Sequence, residues 1–204
     1  MKKNQHYRLP LILINSYIWA GLISPAKAIL PILGVYANKE GKAWPGVKLI
    51  ARLAGYKNSR YREIRAGMND LIKNKLVIRK KQGRHYNYFL SDLVIWKRGR
   101  SYFPIYKNMI LGGIWADLTA SEKALYVVLG LKAKVNDPDI TGSVWHASGN
   151  IISFKKYYEY AGISRWSFKN AYSRLSYKEI EEGQTLIEFW SDTEEREYMI
   201  YCPN

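Results

Sequence analysis

The stretch IWAGLISPAKAILPIL, residues 18–33, returns later in the chain as IWADLTASEKALYVVL, residues 114–129. Ile-Trp-Ala recurs first. Leu22 then matches Leu118, Lys27 matches Lys123, Ala28 matches Ala124 and Leu33 matches Leu129, all at one offset of 96. Self-similarity at a fixed spacing marks a duplicated structural unit. In the first copy, Ser24 followed by Pro25 predicts a helix start, with Ile29, Leu33 and Tyr36 as its apolar stripe. Pro31 predicts a kink or an early shift, because it removes an intrahelical hydrogen bond. In the second copy, Thr119-x-x-Glu122 predicts a capping box ahead of Leu125, Val128 and Leu129.

Each copy continues in the same way. A second short helix is predicted in PGVKLIARLAG (45–55), with Leu49, Ile50 and Leu53 inward, and in SFKKYYEYAG (153–162), capped by Ser153. Both end in Ala-Gly, where glycine supplies the left-handed residue of a tight turn between helices. Third helices are predicted to begin near Ser59 and Ser164. Their inward positions align at an offset of 104, with Ile64 on Phe168, Leu71 on Leu175 and Leu76 on Ile180. Strands follow. LVIRK and HYNYFLS flank a turn at Gly83, and TLIEFW and EYMIYC flank SDTEER, so each copy should close with a β-hairpin.

WPGVKLIARLAGYKNSRYREIRAGMNDLIKNKLVIRKKQGRHYNYFL resembles a bacterial winged helix-turn-helix domain. The likeness covers residues 24–90 well and residues 115–201 more weakly, where KVNDPDITGSVWHASGNI is inserted between the first two helices. The expected fold is therefore α+β and mainly helical. It comprises two tandem winged helix-turn-helix domains, residues 1–95 and 96–204, joined near VIWKRGRSYF. The tandem arrangement is similar to plasmid and phage replication initiators and to some transcription regulators. The resemblance implies a fold and a DNA-binding role, without naming a target.

Charge points to the same partner. The net charge is +15, carried by 32 Lys and Arg against 17 Asp and Glu. Residues 1–100 hold 21 of those bases and 4 of the acids, a balance of +17, and residues 101–204 come to −2. A polyanion should meet the N-terminal half first, double-stranded DNA before membrane. In helix-turn-helix proteins the third helix enters the major groove. The outward set here is Arg60, Tyr61, Arg62, Arg65 and Asn69. Arginine can fork onto guanine and asparagine can pair with adenine. The hairpin adds Arg79, Lys80, Lys81, Arg84 and His85, suited to phosphates or the minor groove. The second copy offers Arg165, Trp166, Lys169, Asn170 and Arg174. Its hairpin is acidic, with Asp192, Glu194, Glu195 and Glu197 at or near the turn and Glu181 and Glu182 before it. That wing should avoid phosphate, and the second domain is a candidate for protein contact or self-association.

Other classes have little support. The basic, apolar N-terminus ending in AKA has the pattern of a signal peptide. Its apolar part is reused at 114–129, which makes it domain core. No run is long enough for a membrane span. The single cysteine, Cys202, permits no disulfide within one chain and fits a reducing cytoplasm, at the nucleoid if DNA is the partner. There is no Walker loop and no Gly-x-Gly-x-x-Gly. His6, His85 and His146 lack metal-ligand spacing, and DPD at 137–139 reads as a turn. No enzyme and no cofactor are expected. Trp19 and Trp115, at equivalent repeat positions, should be core, and the alternation of Tyr86 and Tyr88 should mark one strand face, with a stacking platform for single strands as the lesser alternative.

The expected function is sequence-specific binding of double-stranded DNA as a transcription regulator. Two alternatives remain, beside the remoter class of RNA binding. One is an origin-binding replication initiator of a mobile element. The other is an adaptor whose first domain holds nucleic acid nonspecifically while the second binds a protein.

Overall fold

A computed structural model of the protein describes residues 6–57, 61–83, 85–95, 101–132, 134–135, 144–150, 154–181, 184–191 and 196–203. The first half runs through β1 (His6–Pro10), α1 (Ile12–Asn15), α2 (Ile18–Gly21), α3 (Ser24–Tyr36), β2 (Lys42–Ala43), α4 (Val47–Leu53), α5 (Tyr61–Lys73), β3 (Val77–Gln82) and β4 (His85–Leu90). The second runs through β5 (Tyr102–Tyr106), α6 (Lys107–Leu111), α7 (Ile114–Asp117), α8 (Ala120–Lys132), β6 (Lys134–Val135), β7 (Val144–Asn150), α9 (Phe154–Ala161) and α10 (Arg165–Ser176). It closes with β8 (Glu179–Glu181), β9 (Gln184–Thr185), β10 (Ile187–Ser191) and β11 (Arg196–Pro203). The fold is α+β and mainly helical, with small antiparallel sheets that include the hairpin β3–β4.

The duplication is visible as geometry. Strands β1 and β5 pair antiparallel, and Arg8 faces Pro104. These two are each other's equivalents at an offset of 96, so an approximate dyad passes between them. Helices α3 and α8, also equivalents at that offset, pack against each other across it. Each is buried nearly all round, Ala26–Gly34 in one and Glu122–Leu131 in the other, as expected of a core helix with no solvent face. Trp19 Nε1–H donates to the Ala124 carbonyl at 3.2 Å, and Trp115 Nε1–H to the Ala28 carbonyl at 3.0 Å. Each half thus anchors its tryptophan on the other half's central helix. Both indoles are fully buried.

Close packing is duplicated too, within each half and between them. A Cβ on Gly34 would strike the Tyr7 ring, and one on Gly130 the Phe103 ring. Gly55 and Gly162, at φ +81 and +63, end the tight turns after α4 and α9. A Cβ there would run into the Ala116 and Ala20 carbonyls respectively, each in the opposite half. These two glycines meet both a turn requirement and a steric one. One continuous apolar cluster, from Tyr7 to Ile187, spans both halves.

Several expectations change in detail. Helix α3 does not end at Pro31. It continues to Tyr36, because packing on all sides holds the turn whose hydrogen bond the proline removes. Ser24 begins that helix without capping it. Asp70 on α5 accepts the Ile23 N–H at 3.0 Å and supplies the cap from a distance. The Thr119–Glu122 box forms reciprocally: Thr119 N–H donates to Glu122 Oε2 at 2.8 Å and Glu122 N–H to Thr119 Oγ1 at 3.4 Å. The apolar N-terminal run is core, with Leu9, Leu13, Ile14 and Trp19 fully buried. Residues 96–100, at the expected junction, lie outside the described residues, as do Ser59, Ser153 and the DPD turn. Among the described residues no helix is long and apolar enough to cross a membrane.

Sheet order also repeats. Strand β2 pairs with β4, and β4 with β3. In the second half, β7 pairs with β11 and β11 with β10, while β6 extends the sheet beyond β7. The inserted segment between the first two helices of that half therefore contributes β6 and β7.

Candidate nucleic-acid interface

Helix α5 is strongly amphipathic. Ile64, Gly67, Met68 and Leu71 are buried, and Arg62, Arg65 and Asn69 are exposed. Gly67 is buried because a Cβ there would collide with the backbone at Pro25 and Ala26, so α5 lies directly on the start of α3. Tyr61 is half-buried and packs on the core, which leaves less of it outward than the spacing implied. Arg60 lies outside the described residues. Asp70, one of the two acids in this stretch, faces the Ile23 N–H and does not oppose the arginines as a free charge.

The end of α5 aims the hairpin. Lys75 adopts φ 57, its N–H bonds the Ile72 carbonyl at 2.9 Å, and the Leu76 N–H bonds the Leu71 carbonyl at 2.9 Å. That is a Schellman ending with lysine in the left-handed position where glycine is usual. Leu76 is buried against the helix it terminates, which fixes where β3 departs.

The hairpin's cations divide between its two faces. Directly opposed residues share a face, and the register sets Arg79 against Tyr88 and Lys81 against Tyr86. Arg79 lies over the Tyr86 ring at 5.0 Å. Lys80 is on the other face, 5.2 Å from the Phe89 ring, where Lys42 of β2 also reaches to 5.9 Å. His85 is exposed at the tip, and Arg84 lies outside the described residues. Tyr88 is buried while Tyr86 is 43 % exposed, so their shared face runs from core to solvent. Burial raises the Tyr88 hydroxyl above its ordinary pKa, and Arg79 opposes that shift.

A second basic surface adjoins α5. Lys48, Arg52 and Lys57 are exposed and line a cleft with Leu49, Gly55 and Tyr56 beside the α4–α5 turn. These three were absent from the sequence-derived set. The signal was present: with Ile50 and Leu53 inward, Lys48 and Arg52 fall one turn apart on the outer face.

The second half presents a different surface. Ser164 caps α10, its Oγ accepting the Ser167 N–H at 3.1 Å. Arg165, Lys169 and Asn170 are exposed, and Trp166 is 74 % exposed, so it does not pack under the turn. Arg165 and Lys169 edge a groove floored by Phe154, Tyr158, Phe168 and Tyr172. Arg174, on the same helix and 66 % exposed, is ion-paired. Its Nε lies 2.6 Å from Glu122 Oε1, which is buried. Arg174 is the equivalent of Asp70 at an offset of 104, so one position on the third helix serves the start of the central helix in both halves, with opposite charge. The hairpin turn at 192–195, with Asp192, Glu194 and Glu195, and also Glu182, lie outside the described residues. Glu181 and Glu197 fall within β8 and β11.

Two buried lysines complete the electrostatics. Lys27 Nζ donates to the Ala161 carbonyl at 2.8 Å and the Ala20 carbonyl at 3.2 Å. Lys123 Nζ donates to the Leu118 carbonyl and sits 5.7 Å from the Trp115 ring. Desolvation lowers both to about 8, against the pull of Asp70 on Lys27 and of Glu122 and Asp117 on Lys123. Among the described residues no group of three or more His, Cys, Asp or Glu is placed to hold a metal ion.

No protein-family model, curated protein or solved structure matches the chain.

Proposed function

We propose that the protein is a sequence-specific double-stranded DNA-binding protein built from tandem winged helix-turn-helix units, acting as a transcription regulator. The observation that carries this reading is the exposed face of α5. Arg62, Arg65 and Asn69 project from it, and the two elements packed against α5 carry further cations, Lys48 and Arg52 on α4 and Arg79 to Lys81 on the hairpin. Side chains of these types recognise base edges, and flanking cations meet phosphates. The sheet order β2–β4–β3 beside three helices supports the winged reading of this half. In the second half Arg165, Lys169 and Asn170 offer a weaker reading surface, since Arg174 is engaged by Glu122.

A second reading, origin binding by a replication initiator, is favoured by the intramolecular dyad. One polypeptide already carries two dyad-related third helices of unlike sequence, α5 and α10, so a single chain suits an asymmetric site that can be repeated head to tail. The adaptor alternative keeps the basic half as a nonspecific holder and gives the other half to a protein.

Selection of bound sequences from a random duplex library tests all three. One defined site supports the regulator, and direct repeats of an asymmetric site support the initiator. Uniform coating with steep salt dependence would sink both in favour of the adaptor. With a site in hand, Arg62→Ala or Arg65→Ala should relax base preference by about 1–3 kcal/mol. Lys48→Ala or Lys80→Ala should weaken all sequences alike and flatten the salt slope by about one. Identical behaviour of the two sets would refute the division of roles.

A further inference from the structure

Strand β2 accompanies β4 only at Lys42–Phe89 and Ala43–Tyr88. The chain then turns away through Trp44, Pro45 and Gly46 into α4. Among the described residues no strand covers the β4 edge from His85 to Asn87 on that side. A groove of about 860 Å³ opens there, between Trp44 and the end of the hairpin. Trp44 is 58 % exposed and Tyr86 43 %, and both line it. Exposing two large rings at one groove is costly for a monomeric surface and points to a partner.

The chemistry around those rings narrows the partner. Asn87 Nδ2 donates to Gln82 Oε1, which leaves the Asn87 carbonyl oxygen and the Gln82 amide N–H as an acceptor and a donor at the groove. No acid is among the lining residues. Arg79 stacks on Tyr86 and Lys81 faces it across the hairpin. Aromatic faces flanked by cations, with amides between, suit bases that are already unstacked and unpaired. Stacking tolerates any base, and the cations follow the backbone. A base within an intact duplex offers no face to stack on.

We propose that this groove binds unpaired DNA, with bases stacked on Trp44 and Tyr86, base edges met by Gln82 and Asn87, and phosphates met by Arg79 and Lys81, which lie outside the groove beside Tyr86. The proposal rests on the DNA-binding reading of the first half and extends it: α5 meets the duplex, and the far side of the hairpin holds a strand released from it. The same open edge would accept a peptide strand. The density of positive charge and the two exposed rings favour the nucleic acid.

The test uses the full chain and two labelled probes in fluorescence anisotropy, an oligothymidylate and the selected duplex. Trp44→Ala and Tyr86→Ala should each weaken binding of the single strand roughly tenfold, from the loss of one stacking partner. Duplex affinity should stay within about twofold. Trp44→Phe and Tyr86→Phe should restore most of the loss. Both residues are exposed, so unchanged circular dichroism is expected of every variant. Single-strand affinity unaffected by the alanine changes, or lost in step with duplex affinity, would overturn the proposal. So would a wild-type protein that ignores oligothymidylate, the outcome expected if a peptide strand is the occupant of this edge. A wild-type protein that binds oligothymidylate in a Trp44-dependent way but ignores every duplex would support the groove while defeating the duplex reading, so the two failures are separable.

Discussion

Replacing Trp19 by phenylalanine should weaken the whole chain, and replacing Trp115 should do so to the same extent. Each indole is fully buried and donates one hydrogen bond across the dyad, Trp19 to Ala124 and Trp115 to Ala28. Both acceptors lie within helices, where a carbonyl also receives the ladder bond, so neither is orphaned by the change. The loss is one net hydrogen bond, about 1 kcal/mol. The smaller ring adds a void of roughly 40 Å³, worth about 1 kcal/mol at roughly 24 cal/mol per Å³. It also buries less apolar surface, a loss of somewhat under 1 kcal/mol. The expected cost is about 2–3 kcal/mol for either variant, or a fall of roughly 5–10 °C in Tm for a chain of this size. The assay is thermal and urea unfolding followed by circular dichroism and by tryptophan fluorescence. Because the core is continuous, both probes should report one transition, and both single variants should move it equally. Two transitions, with only one displaced by each variant, would refute the shared core. A cost confined to one tryptophan would refute the reciprocal anchoring.

Two further outcomes follow from buried charge. Lys27 and Lys123 have folded pKa values near 8 against an ordinary 10.5, so between those values the unfolded chain holds protons that the folded protein has released. Raising the pH through that window therefore favours the folded state, and below about 8 the full cost of burying both charges is present. Stability measured by urea unfolding should rise from pH 8 to pH 9.5, and Lys27→Met should remove part of that rise; a flat profile would contradict the burial. Arg174→Ala should leave the buried Glu122 carboxylate without its cation and lower Tm, while base preference in the selected site stays as in the wild type. A changed base preference with unchanged Tm would restore Arg174 to the reading face.

Much of the first half was legible because its signals are local. The spacing of Ile64, Met68 and Leu71 defined the buried face of α5, so Arg62, Arg65 and Asn69 had to lie outside. The strand-type runs LVIRK and HYNYFLS on either side of Gly83 gave the hairpin, with Gly83 at positive φ in its turn. The capping box at Thr119 and the Ser164 cap were readable for the same reason, since a cap involves residues three apart. Pairings between distant segments left no such trace. Asp70 capping Ile23, Arg174 answering Glu122 and Trp44 flanking the hairpin each join residues that no window contains. The cleft of Lys48 and Arg52 was legible too, since the inward positions Ile50 and Leu53 put both cations on the outer face of α4.

The sequence by itself determined that the unit is duplicated, where each half places its three principal helices and closing hairpin, and which half carries the positive charge. Those properties are written in spacing and composition, and the backbone satisfies them within a few turns of chain. Only the tertiary structure decided that the copies are not beads on a string. The short strands β1 and β5 pair at the dyad, and Trp19, Trp115, Gly55 and Gly162 each meet the opposite half. Buried apolar surface is stabilised wherever it finds a complement, and a duplicated unit offers its own copy as that complement. The repeat announced two equivalents, and packing made them a single core.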